Sequence, residues 1–377
     1  MSWLLFGSLL PSFLVCYATG WAVRRFAPRM GLVDRPSERK DHGRIVPLGG
    51  GLAVWTGIVL PLAIGQILIW NLGGAERPVL PVPGFVQPHL PGLLSESGRL
   101  WMILAGGTLL MGVGLYDDRR GLSWKIRLAV QCAVAFAMTA MGWRVSLFLE
   151  LPWLTDALSV LWIVGLINAF NMLDNMDGLS GGVAAIAASI LAAAMLLAPD
   201  PATNQPQLFI GGFLLVIVGS LLGFLAHNRP PARLFLGDAG SYLVGYLLAI
   251  ITLTATFAGN DVPKHAVLAP LCVMAVPLYD ASTVILIRIR GGRSPFEADR
   301  FHFSHRLVQL GMTKGQAVLT IYLTTTACGL GALLLHQVNG FGAVVVLLLV
   351  GCMLTLIAIL ETTGRRARKK DRKERGE

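Results

Sequence analysis

The feature that most constrains this chain is a series of apolar runs of membrane length. A helix needs roughly 20 mostly apolar residues to cross a bilayer. Runs of that kind recur near 3–23, 49–71, 100–116, 126–143, 153–170, 179–198, 207–226, 240–258, 266–288, 315–335 and 341–361. Water is absent at that depth, so every backbone amide and carbonyl must be paired within the segment, and a helix does this. The 377 residues therefore predict an all-α polytopic membrane protein of about eleven transmembrane helices. Composition agrees: 54% of the chain is hydrophobic and 14% charged, against about a quarter charged in soluble domains. The five cysteines all fall in apolar runs and form no Cys-x-x-Cys pair, which suits buried thiols.

Charge orients the bundle. Basic residues collect on the cytoplasmic side of membrane proteins. With the N-terminus outside, 27 of the 31 Lys and Arg fall on inside segments, including eight in the tail 362–377. The first apolar run has no basic residue before it, and Arg24 and Arg25 follow it. That order predicts a retained first helix rather than a cleaved leader, and a cytoplasmic C-terminus. The expected organisation is one transmembrane domain, 1–361, with a basic cytoplasmic tail, 362–377. The net charge of +10 then reports topology and contact with anionic membrane lipid, and no nucleic-acid partner is expected.

Ionisable groups at membrane depth are costly and mark function. Here they gather in five places, all at the inside ends of helices. The loop before the second helix carries Asp34 and His42, then Pro47-Leu-Gly-Gly50. The third helix ends in adjacent acids, Asp117 and Asp118, and Lys125 and Arg127 open the fourth. Neighbouring carboxylates raise each other's pKa unless they share a cation. The fifth run ends in Asn168, Asn171, Asp174 and Asp177, followed by Gly178. Four residues three apart do not share one face of a regular helix. The spacing predicts a helix end that unwinds around a ligand, with the amides of the next helix free to face an anion. Asp238 sits between Gly237 and Gly240 at the start of the eighth helix, as a helix cap or an oxygen ligand for a hard cation. The long inside loop carries Arg293, Asp299, Arg300, His302, His305 and Arg306, with Asp280 upstream inside the ninth helix. Such basic and imidazole donors suit phosphate.

Together these predict one cytoplasmic-facing pocket with acidic oxygens for a divalent cation and basic donors for phosphates, which is the equipment of phosphoryl transfer. The rival is a transporter or flippase of a phosphorylated lipid or sugar. It would place polar groups near the bilayer midplane, within repeated halves. Here they lie at one face, and no internal repeat is apparent.

In order and spacing, these five segments resemble the polyprenyl-phosphate N-acetylhexosamine-1-phosphate transferase superfamily, of glycosyltransferase family 4 type. The resemblance runs from about Asp34 to Leu307. It implies transfer of a sugar-1-phosphate, GlcNAc-1-phosphate first, from a UDP-sugar to a polyprenyl (undecaprenyl) phosphate with release of UMP. That is an initiating membrane step of cell-envelope glycan synthesis, in a bacterial inner membrane, and it implies Mg²⁺, with Mn²⁺ also acceptable. On this resemblance Asp117 and Asp118 are the catalytic acids, and Asp238, Asn171 and Asp174 hold the metal. Asn168, Asp177, Arg300, His302, His305 and Arg306 bind the nucleotide sugar, and Lys125, Arg127 and His42 lie near the prenyl phosphate. A homodimer is compatible with it. The loop Asp299-Arg300-x-His302-x-x-His305-Arg306-Leu307 is similar to the WecA-like side, whose pattern is His-x-His-His. Ser304 stands where that pattern has a histidine. It can donate a hydrogen bond but carries no charge.

Overall fold

The computed structural model describes residues 2–34, 45–73, 89–145, 151–197, 206–254, 263–297, 299 and 301–374, the last twelve of these without side chains. Thirteen helices follow one another: α1 Ser2–Phe26, α2 Gly50–Gly73, α3 Leu90–Arg120, α4 Trp124–Ala140, α5 Pro152–Leu173, α6 Leu179–Leu197 and α7 Leu208–Asn228, then α8 Gly237–Thr254, α9 Ala269–Val273, α10 Ala275–Arg290, α11 Phe303–Gln309, α12 Lys314–Leu334 and α13 Gly340–Glu374. A two-stranded antiparallel ribbon, β1 Val33–Asp34 with β2 Val46–Pro47, lies before α2.

Each expected span is met by a helix, with two differences. Nine helices among the described residues are long and apolar enough to cross a membrane. α4, with 17 residues, is the short one. The ninth expected span is broken: Lys264–Val273 and Ala275–Arg290 meet at a bend of 66°. Pro277 lies three residues after Met274. It has no amide to donate to the carbonyl four residues back, and its ring crowds that carbonyl. The other difference is length. α3 begins at Leu90, well before the apolar run, and α13 continues as one helix beyond residue 361 into the basic tail.

Local chemistry sets the helix ends around the site. Gly121, at φ 74°, stops α3, and Ser123 caps α4 by accepting from Ile126 N. Pro152 opens α5, where its missing amide costs nothing. Thr313 and Gln316 form a reciprocal capping box on α12.

The centre of the bundle is α6, α7 and α8, which are mostly buried, whereas α1 and α13 lie at the edge. The foot of α8 is gripped by two neighbours through glycines. A Cβ on Gly51 of α2 would come within 2.5 Å of the Ala239 carbonyl carbon, and one on Gly114 of α3 within 2.5 Å of the Ala239 Cα. These contacts are backbone on backbone, the approach that small residues allow between membrane helices.

Candidate active site

A cavity of about 290 Å³ opens where α4, α5, α8, α10 and the loop residues Pro295, Phe296, Glu297, Asp299 and His302 converge. Its two walls differ in chemistry.

The first wall, the acidic one, is made of helix ends. Asp174 lines the cavity itself, whereas Asp117, Asp118 and Asp238 do not; Asp117 and Asp238 are bonded to the lining residues Arg127, Tyr242 and Asn171. Asp117 is buried at the end of α3. Its Oδ1 accepts from Leu122 N (2.6 Å) and its Oδ2 from Arg127 Nη1 (3.1 Å) and the Tyr242 hydroxyl (3.1 Å). Asp118, one residue on, is turned by the helix towards α8. Its two oxygens accept from the amides of Asp238 (2.9 Å) and Ala239 (3.2 Å). Asp118 thus caps α8 from another helix, and its charge suits that positive helix end. Gly237, at φ 72°, permits this approach, since a Cβ there would fall 2.5 Å from Asp118 Oδ2. Asp238 Oδ1 accepts from Asn171 Nδ2 (2.6 Å), and its Oδ2 faces Arg127 Nη1 at 3.5 Å. Asn171 also donates to Ser241 Oγ (3.1 Å). Asn168 donates to Gln131 Oε1 (2.6 Å) and lines the cavity.

α5 stays regular through Leu173, so the expected unwinding is confined to Asp174–Gly178. Asn168 and Asn171 share its cavity side, one turn apart. Asp174 ends the helix and lines the cavity. Burial above all, then the charge of Asp118, pushes its carboxyl up to about 7, against a hydrogen bond from the Gly237 amide. It is a carboxylate short of positive charge, which a bound cation would supply.

The second wall, the basic one by its Arg288 and His302, also carries the acids Glu297 and Asp299 and is made largely of loop. His302 Nδ1 meets Asp280 Oδ2 at 3.0 Å, and Asp280 Oδ1 accepts from Phe303 N (2.5 Å). Asp280 is fully buried, so it fixes the imidazole through Nδ1, and His302 lines the cavity. Arg288 donates to Asp299 through Nε (2.9 Å) and to Pro295 O through Nη1 (2.6 Å). Burial alone would raise the Asp299 pKa; the Arg288 and Phe301 N–H hydrogen bonds outweigh it and hold the carboxyl below its ordinary range. At the rim Trp124 stacks on Phe296 with centroids 4.1 Å apart.

The structure places several of the expected site residues away from the cavity. Asp177 turns away from the cavity and accepts from Ala232 N (2.9 Å). The Gly178 amide donates to Asn228 Oδ1 (2.8 Å), so this expected anion-facing amide at the start of α6 is already taken. Arg306 is 2% exposed and faces α10 and α13 instead of the cavity. Lys125 is exposed beside the Trp124 ring and does not line the cavity, whereas Arg127 does. His305 stands next to His302, ring centroids 6.4 Å apart. His42 and Arg300 lie outside the described residues. Ser304 donates to Asn175 Oδ1 (2.5 Å), joining the two walls. Tyr242, Arg288, Trp124 and Phe296 are cavity residues that sequence reasoning did not select. Tyr242 had a signal, since it sits four residues after Asp238 on the same helix face.

The donor set fits a hard cation in kind. Among the described residues no three His, Cys, Asp or Glu side chains are placed to hold a metal by themselves. Mg²⁺ asks for less, one or two carboxylates with waters and substrate phosphates. Asn171 and Asp174 line the cavity, and Asn171 donates to Asp238, so oxygens of this kind are present there.

Comparison with known proteins matches this arrangement. The model of "Glycosyl transferase family 4" matches residues 100–256, which hold the whole acidic wall. The decaprenyl-phosphate N-acetylglucosaminephosphotransferase of Mycolicibacterium smegmatis is 34% identical over 349 residues, 86% of this chain and 80% of the relative. The chain belongs to glycosyl transferase family 4. Two undecaprenyl-phosphate alpha-N-acetylglucosaminyl 1-phosphate transferases of the family are each 32% identical. That of Yersinia pestis covers 84% of this chain and 80% of its own length, and that of Escherichia coli K12 covers 80% and 75%. The membership places the chain among membrane-bound polyprenyl-phosphate sugar-phosphate transferases.

Proposed function

We propose that the protein transfers GlcNAc-1-phosphate from UDP-GlcNAc to undecaprenyl phosphate, releasing UMP, at the cytoplasmic face of a bacterial inner membrane. The observation that supports this reading is one cavity lined by Asp174, Asn171 and an Arg127 bonded to Asp117 on one side and by Arg288 and His302 on the other. The family relatives named for this chemistry support it.

The cavity residues divide the work by charge. Arg288 and His302 face the anionic nucleotide sugar, and Asn168, whose amide hydrogens go to Gln131 and the Val164 carbonyl, offers its side-chain carbonyl to the sugar's polar edges. Asp238, Asn171 and Asp174 would hold Mg²⁺. When bound, the ion supplies charge neutralisation on the phosphates. Arg127 lies between Asp117 and Asp238 and gives a guanidinium to the acceptor phosphate at the same wall. The acceptor oxygen attacks the β-phosphorus, that P–O bond forms, and the bond to the UMP oxygen breaks. A phosphomonoester has its second pKa near 6, so at neutral pH the acceptor is already mostly dianionic. Asp117 and Asp118 then act by placement: one orients Arg127 and Tyr242, and the other holds the α8 terminus that carries Asp238.

The test is UMP release by purified protein given UDP-GlcNAc, undecaprenyl phosphate and Mg²⁺. Release that requires the lipid and stops with EDTA supports the reading. Folded protein that releases no UMP from UDP-GlcNAc, or releases it without lipid, refutes it.

A further inference from the structure

One buried ionic cluster belongs to neither wall of the cavity. Glu361, on α13, is the first charged residue after the uncharged run 340–360. It is 5% exposed. Its Oε2 lies 3.0 Å from Arg306 Nε and accepts from the Tyr279 hydroxyl at 3.1 Å. Arg306 is also buried. It donates through Nη1 to the Phe301 carbonyl (3.0 Å) and through Nη2 to Thr283 Oγ1 (2.9 Å). The last helix is therefore joined, by one carboxylate and one guanidinium, to the residue immediately before His302.

A buried Arg–Glu pair adds little net stability over an apolar pair of equal volume, because both charges must leave water. What such a pair does fix is direction. The Phe301 carbonyl is held by Arg306, its amide by Asp299 Oδ1 (2.9 Å), and the Phe303 amide by Asp280. His302 sits between these pinned neighbours. Removing the Glu361 charge would leave Arg306 buried beside Tyr279 without its carboxylate, free to seek another.

We propose that Glu361 is a positioning residue for nucleotide-sugar binding, acting through Arg306 on the backbone that presents His302. The proposal rests on the reading of His302 as a nucleotide-sugar contact, and its test separates the two.

Wild type, Glu361→Gln, His302→Ala and the double variant would be purified as full chains. Each would be assayed for UDP-GlcNAc binding by calorimetry, for KM towards both substrates, and for melting temperature. Glu361→Gln is expected to weaken UDP-GlcNAc about tenfold while the undecaprenyl phosphate KM moves by less than about twofold. The double variant should bind no more weakly than His302→Ala alone, because the two residues act in series. Glu361→Asp, which keeps the charge, should recover most of the affinity, and it carries the test if Glu361→Gln does not fold. Unchanged binding in Glu361→Gln, or additive losses in the double variant, would overturn the proposal and leave the reading of His302 standing. Wild-type binding by His302→Ala would overturn that reading itself.

Discussion

The two walls of the cavity are built by different means. The acidic wall is helix ends locked by backbone: Asp118 accepts from the amides of Asp238 and Ala239, and glycines let α2 and α3 touch the foot of α8. The basic wall is a loop held by side chains in pairs, Asp280 with His302 and Arg288 with Asp299. A wall made of backbone contacts has no conservative substitutions. A wall made of side-chain pairs weakens one bond at a time.

The contrast is broken most severely at the glycines. Gly51→Val or Gly114→Leu forces a side chain into the α8 backbone, where nothing flexible can yield. Overpacking typically costs about 1–3 kcal/mol, and here the expected result is loss of folded protein, read as a collapsed melting transition in detergent. Either variant folding with wild-type stability would show that the backbone grip is looser than its geometry.

Next in size is Asp238→Asn. It should fold, yet lose on the order of 10²–10³-fold in kcat, the scale seen when a preorganised electrostatic group is removed. Its melting temperature separates it from the glycine variants. His302→Ala tests the other wall: KM for the nucleotide sugar should rise by about tenfold, or ~1.4 kcal/mol, with a smaller change in kcat. Asp280→Asn should shift KM the same way by less, since the ring stays but its orientation is freed. The smallest effect belongs to the bond between the walls. Ser304→Ala removes one hydrogen bond, worth about 0.5–1.5 kcal/mol, so KM should rise about threefold. A Ser304→Ala effect as large as that of Asp238→Asn would mean that the walls are not separable.

The same contrast explains what the sequence disclosed. Apolar runs announced the spans, because the bilayer forbids alternatives. Acids and amides at helix ends announced the acidic wall, because such groups are costly there. Their partners were hidden: Asp118 and Asp238 are 120 residues apart, and periodicity carries no information at that distance. The basic wall was legible in composition but not in assignment. Arg306 sits in a basic loop and resembles a solvent-facing phosphate donor. Its buried carboxylate lies on α13, 55 positions on, at the far end of an otherwise uncharged run. The bend before α10 was hidden too, since Pro270 and Pro277 lie inside a run that reads as continuous.

One feature bears on how such a molecule can change over generations. Because Asp118 caps a helix whose foot is pressed on both sides by glycine, replacing Asp118, Gly51 or Gly114 disturbs the frame along with the chemistry. His302, at the end of the loop before α11, and Ser304 carry no such burden, since the side chain of each is held by an exchangeable bond. A lineage that adopts a new sugar donor would record the change in that loop, while the foot of α8 keeps its ancestral form.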